Sequence, residues 1–217
     1  MLNRFLSGRR DVSWRKRAVK IMAFSDTNKF LDIATGTGDL AILCAKKYPD
    51  VLVVGVGFLP AMISKGIEKV RSEGLSKRVE LIQGDATQLN LDDNSFDVAA
   101  IAFGMRNTPN KASALLEMAR VVIPNGLVMV LELSLPCRGM WGSTYSFYLN
   151  TILPKFSRLF TRNPAAYHYL SGSVMNFPEP KSFLTLMEST GLRECQSYSF
   201  TFGICTLYTG KKPNTYD

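Results

Sequence analysis

Apolar and polar positions along this chain recur in two periods, and the points where the period changes mark out its elements. A basic segment from Val12 to Met22 reads as a helix, and Lys29 to Ile33 as a short strand. Asp39 to Lys47 sets Leu40, Leu43 and Cys44 on one face at helical spacing. Val51 to Val56 is apolar throughout and bounded by Pro49-Asp50 and Gly57, the pattern of a strand covered on both faces. Pro60 suits a first helical turn and opens a helix through Val70 that ends near Gly74. Strands follow at Val79 to Gln83 and Phe96 to Ala102. A helix from Ala112 to Val122, stopped by Pro124-Asn125-Gly126, then leads to a fifth strand from Leu127 to Leu133. Glu194 to Phe200 and Ile204 to Lys211 alternate around Gly203 as a terminal antiparallel hairpin.

Strands alternating with helices predict an α/β fold with a parallel sheet, because each parallel return needs a covering crossover. Residues 1–217 are expected to form a single domain. Residues 1–25 read as a basic helical lid over the site, and residues 136–180 as a helical insertion before the hairpin. The insertion carries Trp141, Tyr145, Phe147, Tyr148, Phe156, Phe160, Tyr167 and Tyr169, interleaved with Lys155, Arg158 and Arg162. That mixture predicts an amphipathic segment that touches a membrane or encloses an apolar pocket. A helical pair packing its aromatics on the sheet is the plainer alternative.

The net charge of +8 implies an anionic partner, whether a membrane surface, a nucleic acid or an acidic substrate. Much of it lies in Arg9, Arg10, Arg15, Lys16, Arg17 and Lys20, a run that also reads as a solvated helix face or as a targeting segment. No RRM, KH or zinc-knuckle pattern is present, so nucleic acid is not the expected partner. The four cysteines are scattered and there is one histidine, His168; no metal site is expected, and free thiols point to a reducing, cytoplasmic setting. No apolar segment is long enough to span a bilayer.

The chemistry concentrates in Leu31-Asp32-Ile33-Ala34-Thr35-Gly36-Thr37-Gly38-Asp39-Leu40, a strand that ends in an acid, turns through two glycines and enters a helix. Gly36 and Gly38 let backbone approach a ligand closely. Gly36-x-Gly38-x-x-Ala41 also fits a dinucleotide fingerprint, and that reading stays open on the loop alone. Against it, Asp32 and Asp39 would crowd a pyrophosphate, which favours a helix N-terminus for its partial positive charge. A nucleoside carrying an amino acid, S-adenosylmethionine, suits the acids better. Asp85, just past the third strand, is placed to accept from an adenine amino group, with the following N–H donating to the ring. Ligands in such sheets sit beyond the carboxyl ends of the strands, where Asp32, Gly57, Asp85 and Phe103-Gly104-Met105-Arg106-Asn107 fall.

These residues resemble the ubiquinone/menaquinone biosynthesis C-methyltransferase family (the UbiE/MenG type). The glycine loop, the turn Asp93-Asn94-Ser95-Phe96-Asp97 and the segment Phe103-Gly104-Met105-Arg106-Asn107 are each similar to that family's motifs. So are Tyr167-x-Tyr169-Leu170-x-x-Ser173-x-x-x-Phe177-Pro178, the spacing of Met187, Gly191 and Gly203, and the ending Gly210-Lys211. The resemblance implies a class I, Rossmann-like methyltransferase fold: a seven-stranded, mostly parallel sheet with helices on both faces. It implies S-adenosylmethionine as cofactor, with contacts at Thr37, Gly57, Asp85, Ala86 and Ala102. The implied reaction is C-methylation of a prenylated quinol, from demethylmenaquinol to menaquinol or its ubiquinone-precursor equivalent. The expected setting is the cytoplasmic face of an inner membrane, with a homodimer or a quinone-biosynthesis assembly as further partners.

Within that reading, Arg106 and Asn107 are placed to stabilise the oxyanion of the acceptor or to orient a water that takes its proton, Arg106 acting electrostatically. His168 is the candidate proton acceptor, because its ordinary pKa lies near neutrality; a packed histidine is the plainer alternative. Phe103, Met105, Tyr167 and Tyr169 are expected to line the acceptor pocket. Asp93 and Asp97 bracket a turn and read as structural. One departure stands out: family members carry an acid at the end of the second strand, in a sequence like V-G-x-D-F-S, where this chain has Gly57. Three other readings therefore stand beside the first: a methyltransferase for another small acceptor, one for RNA, and a methyltransferase-like scaffold that has lost catalysis.

Overall fold

The computed structural model describes residues 10–134, 169 and 172–214. Its frame is a seven-stranded sheet built from β1 (Lys29–Ile33), β2 (Leu52–Gly57), β3 (Val79–Gln83), β4 (Phe96–Ala102), β5 (Val122–Leu133), β6 (Arg193–Phe200) and β7 (Cys205–Lys211). The strand order is β3-β2-β1-β4-β5-β7-β6. The first five strands pair in parallel, and β7 runs antiparallel between β5 and β6. Helices α1 (Arg10–Ile21), α2 (Asp39–Lys47) and α3 (Pro60–Ser72) contribute to one core, with Trp14, Phe30, Ala41, Cys44, Val53 and Ile63. Helices α4 (Lys111–Val121) and α5 (Pro180–Ser189) cover the other face through Leu115, Met118, Phe183 and Met187. Alternation along β1 serves both cores, Phe30 entering the first while Leu31 and Ile33 enter the second.

The elements lie close to where the sequence pattern sets them, with one clear correction. Pro124-Asn125-Gly126 does not end α4; the helix stops at Val121 and β5 begins at once with the extended Val122. The three residues form an irregularity inside the strand, where the β4–β5 register jumps from Phe96↔Val122 to Val98↔Leu127. Proline lacks an N–H for the ladder and is tolerated at such a bulge. Asn125 takes a left-handed φ of 62°, and its N–H donates to the Lys212 carbonyl beyond β7.

The crossover from β3 to β4 contains no helix. It is pinned to α4 instead: Leu89 N–H donates to Glu117, while Arg120 donates to the carbonyls of Leu89 and Leu91 and pairs with Asp93. Asp97, at the start of β4, gathers the N–H groups of Ser25, Asp26, Thr27 and Lys29 and the Thr27 hydroxyl. Burial alone would raise its pKa, but these donors outweigh burial and hold it at about 2. A carboxyl depressed by folding contributes stability that is present above the ordinary carboxylate range and is lost as pH falls toward 2. Acid unfolding followed by circular dichroism is expected to shift to higher pH in Asp97→Asn, with a shallower dependence below pH 4.

Of the proposed insertion at 136–180, only Tyr169 and residues 172–180 are described; residues 172–175 are helical. Val174 and Phe177 are buried, and Phe177 packs against Phe183 and Tyr208. The basic segment at the N-terminus is not uniformly solvated. Arg15 is buried in an ion pair with Asp11, and Trp14, Ala18 and Val19 join the core.

Candidate active site

Five chain segments meet at the carboxyl end of the parallel strands: the β1–α2 loop, the β2–α3 turn, the segment after β3, residues 103–107 after β4, and the end of β5. The β1–α2 loop turns through left-handed Ala34 (φ 53°), Gly36 (60°) and Gly38 (74°). A Cβ on Gly36 would stand 3.2 Å from Met62 Cε, so the close approach here belongs to glycine.

Gly38 is also the N-cap of α2 and has no side chain to cap with. Asp32 does that work from the end of β1: its Oδ2 accepts from Ala41 N–H at 3.1 Å and from the Thr35 hydroxyl at 2.6 Å. The carboxyl is 1% exposed. Burial raises its pKa to about 7, against the opposing pull of the Thr35 and Ala41 bonds and the nearby Arg15 charge. A proton held this way stabilises the folded chain fully at acidic pH, and that contribution is lost as pH rises through about 7. Asp32→Ala is expected to cost about 1 kcal/mol through the lost helix cap. Asp32→Asn keeps an acceptor oxygen, so it should cost less and should flatten the pH dependence near neutrality; urea unfolding at pH 6 and pH 8 reads both.

On the strand beside β1, β2 ends at Gly57, in register with Gln83 of β3. Gly57 is buried, and a Cβ built on it would lie 2.7 Å from Ile63 Cδ1. The turn that follows is apolar and solvent-facing at Phe58 and Leu59. Asp85 is exposed; its Oδ1 accepts from the N–H and hydroxyl of Thr87, and these bonds lower its pKa. Ala86, beside it, is half-buried, as is Ala102 at the end of β4.

Residues 103–107 form a 3₁₀ turn over Met105–Asn107, entered through Phe103 at a left-handed φ of 60°. Such backbone strain in a bulky residue persists only when its surroundings enforce it. Here the Phe103 N–H donates to the Leu131 carbonyl at 2.7 Å, the Trp14 ring lies 6.2 Å away and the Arg15 guanidinium sits 4.9 Å over its face. Phe103 therefore packs beneath α1. Met105, expected in an acceptor pocket, is instead fully buried in the core shared with α4 and α5, because the 3₁₀ turn directs it inward. Asn107 is exposed, and its Oδ1 accepts from the Tyr169 hydroxyl at 3.2 Å, which brings two sequence candidates together. Tyr167 and His168 lie outside the described residues.

Arg106 is the most constrained of the group. Its Nη1 donates to the Phe103 carbonyl at 2.9 Å and to Glu132 Oε1 at 2.5 Å, while its backbone N–H donates to Glu132 Oε2 at 3.1 Å. Glu132 is wholly buried and the Arg106 side chain nearly so. The sequence reading missed Glu132. Its one signal was an acid set into the apolar run Leu127-Val128-Met129-Val130-Leu131-Glu132-Leu133, where burial demands a partner. Asp11 and Arg15 were missed as well, hidden within the basic run although they stand four residues apart.

A sheet of order β3-β2-β1-β4-β5-β7-β6 with β7 antiparallel, and a glycine turn at its carboxyl rim, defines the class I methyltransferase fold. A SAM dependent methyltransferase from Aquifex aeolicus shares it, with a TM-score of 0.68, 17% identity, and coverage of 94% of this chain and 93% of that one. The [4+2]-cyclase SpnF shares it too, at a TM-score of 0.70 and 16% identity over 94% of this chain and 81% of that one. Within this class, the chain belongs to the ubiE/COQ5 methyltransferase family, which matches residues 1–212. A Geobacter sulfurreducens protein named ubiquinone/menaquinone biosynthesis C-methyltransferase UbiE is 40% identical over 212 residues, covering 97% of this chain and 82% of the relative. The demethylmenaquinone methyltransferase of Thermus thermophilus is 37% identical over 213 residues, covering 98% and 96%.

Proposed function

We propose that this chain transfers a methyl group from S-adenosylmethionine to a ring carbon of a prenylated quinol at a membrane surface. The acceptor is demethylmenaquinol or the ubiquinone-precursor equivalent. The observation that carries the reading is family membership across residues 1–212. The site geometry supports it.

The residues fit this cofactor at two of its ends. The left-handed Gly36 and Gly38 leave backbone open to an amino-acid moiety, with Thr37 between them and Asp32 beneath. Exposed Asp85 and the neighbouring Ala86 N–H suit an adenine edge. The ribose end is less well served, because Gly57 offers no acceptor for a diol. Ala102 and Gly57 complete the wall.

When bound, the cofactor supplies an electrophilic methyl group on sulfur. The chain supplies alignment, exclusion of water and stabilisation of the charge that develops on the acceptor. A quinol carbon becomes nucleophilic as its neighbouring hydroxyl gives up a proton. Arg106 acts electrostatically on that oxygen. Asn107, with Tyr169 on its amide oxygen, shares in stabilising that oxygen or orients a water that takes the proton. In this reading His168 is the alternative proton acceptor and Tyr167 lines the pocket, while residues 1–25 serve as the lid and residues 136–180 as the insertion for acceptor or membrane.

Mass spectrometry of lipid quinones in cells lacking and then regaining the protein tests the proposal. A quinone one methyl lighter should accumulate and then disappear; unchanged quinones would refute it. One observation, Gly57, favours a non-catalytic scaffold instead. Calorimetric titration with S-adenosylmethionine separates the two, since a scaffold should give no binding heat at millimolar ligand.

A further inference from the structure

Glu132 stands where the pattern of β5 calls for an apolar side chain. Alternation gives it the same face as Val128 and Val130, both in the second core, and it is wholly buried. Taking a carboxylate out of water is costly unless strong bonds replace the water, and apolar residues of similar volume often stabilise a fold as well or better. What this carboxylate does is hold one residue at two points. Its Oε2 accepts from the Arg106 backbone N–H at 3.1 Å, and its Oε1 accepts from Arg106 Nη1 at 2.5 Å. Oε1 is itself steadied by the Leu133 N–H at 2.9 Å. Nη1 also donates to the carbonyl of Phe103 at 2.9 Å. Phe103 is the residue strained at a left-handed φ of 60°, and strain of that kind gathers at functional sites. A guanidinium is a planar fork of N–H donors. Two acceptors on Nη1, with the backbone fixed to the same carboxylate, therefore set the plane of the charge as well as its position.

We infer that Glu132 is a positioning residue for methyl transfer: from β5 it sets the Arg106 guanidinium against the acceptor oxygen, and turnover depends on Glu132 through Arg106. The inference rests on the prenylated-quinol reading, in which Arg106 acts on the charge that develops at that oxygen. An oriented charge that need not reorganise during the reaction stabilises a transition state better than a mobile one. A misplacement of about 1 Å can cost on the order of a hundred-fold in rate. Being wholly buried, Glu132 touches neither the cofactor nor the acceptor and works only through the arginine it holds.

A double-mutant cycle tests this, with the full chain, S-adenosylmethionine and demethylmenaquinol in detergent, at a temperature where circular dichroism shows every variant folded. Glu132→Gln should lower kcat about tenfold. KM for both substrates and the Kd for S-adenosylhomocysteine should change by less than about twofold. Added to Arg106→Lys, the same change should lower kcat by no more than about twofold further, because the guanidinium it places is already gone. A full loss of about tenfold in both backgrounds would overturn the inference and leave Glu132 a structural residue. A Glu132→Gln kcat within about twofold of wild type would overturn it too. Should that variant not fold, Glu132→Asp takes its place in the cycle, since it keeps the charge but withdraws it from Nη1 by one methylene. Nitrogen-15 spectra of the wild-type protein need neither variant nor acceptor: hindered rotation should resolve the Arg106 Nη signals, and signals averaged by free rotation would sink the inference. Resolved signals and S-adenosylhomocysteine binding without quinol methylation would count against the functional reading alone.

Discussion

Glu132→Ala is expected to lower the unfolding free energy by about 3–5 kcal/mol, the loss that follows when one partner of a buried ion pair is removed. The Arg106 guanidinium would be left almost wholly buried beside the Phe103 carbonyl. The N–H groups of Arg106 and Leu133 would both lose an acceptor. Glu132→Gln keeps only one of the two acceptor oxygens, because the backbone N–H groups of Arg106 and Leu133 go to different ones, and it should cost less than Glu132→Ala. Urea unfolding followed by circular dichroism measures each loss; a cost below 1 kcal/mol for Glu132→Ala would show that the pair is not a structural element. The same pairing changes how Arg106 must be tested. Arg106→Ala strands a buried carboxylate, so its effect on turnover would be mixed with unfolding. Arg106→Lys retains a cation beside Glu132 but gives up the planar fork. It should reduce turnover about a hundred-fold while leaving S-adenosylhomocysteine affinity nearly unchanged.

Gly57→Asp is expected to tighten cofactor binding ten- to hundred-fold, because a carboxylate accepting from a diol is worth about 1.5–3 kcal/mol. The structure adds a steric condition. Ile63 Cδ1 occupies the space the new side chain needs, but it is the far end of a flexible chain and can swing aside. Pairing the change with Ile63→Val should therefore raise the gain further. Titration with S-adenosylhomocysteine and with its 2′-deoxy analogue reads the effect. Equal gains for both ligands, or none, would show that the diol is not held at the end of β2.

The strands were legible where buried apolar residues lie between strong turn signals. Phe96–Ala102 is buried almost throughout, whereas Val79–Gln83 alternates, with Val79 and Leu81 buried and Glu80 exposed. β5 was legible only from Leu127, because Pro124-Asn125-Gly126 has the composition of a turn. What keeps it in the strand is the Asn125–Lys212 bond, a contact 87 residues away in sequence (212 − 125) that no local pattern reveals. The site divides similarly. Asp32, Gly36 and Asp85 could be read because strand–turn–helix order fixes where they sit. The bonds of Asp32 to its own loop and helix, the Arg106–Glu132 pair and the inward turn of Met105 depend on tertiary packing. Sequence pairing of charges was least informative where it mattered most, for Arg15 lies in a run of cations and is nevertheless buried with Asp11.

The carboxyl of Asp32 ties the first strand to the third N–H of the helix that follows, so residues 32–41 form a closed ring rather than an open span. Such a ring is shaped before any ligand arrives. Association then costs little chain ordering, and the heat-capacity change on titration should reflect the surface covered rather than a segment folding. Amide exchange at Ala41 offers a direct gauge: slow exchange in the ligand-free protein is what a preset ring requires.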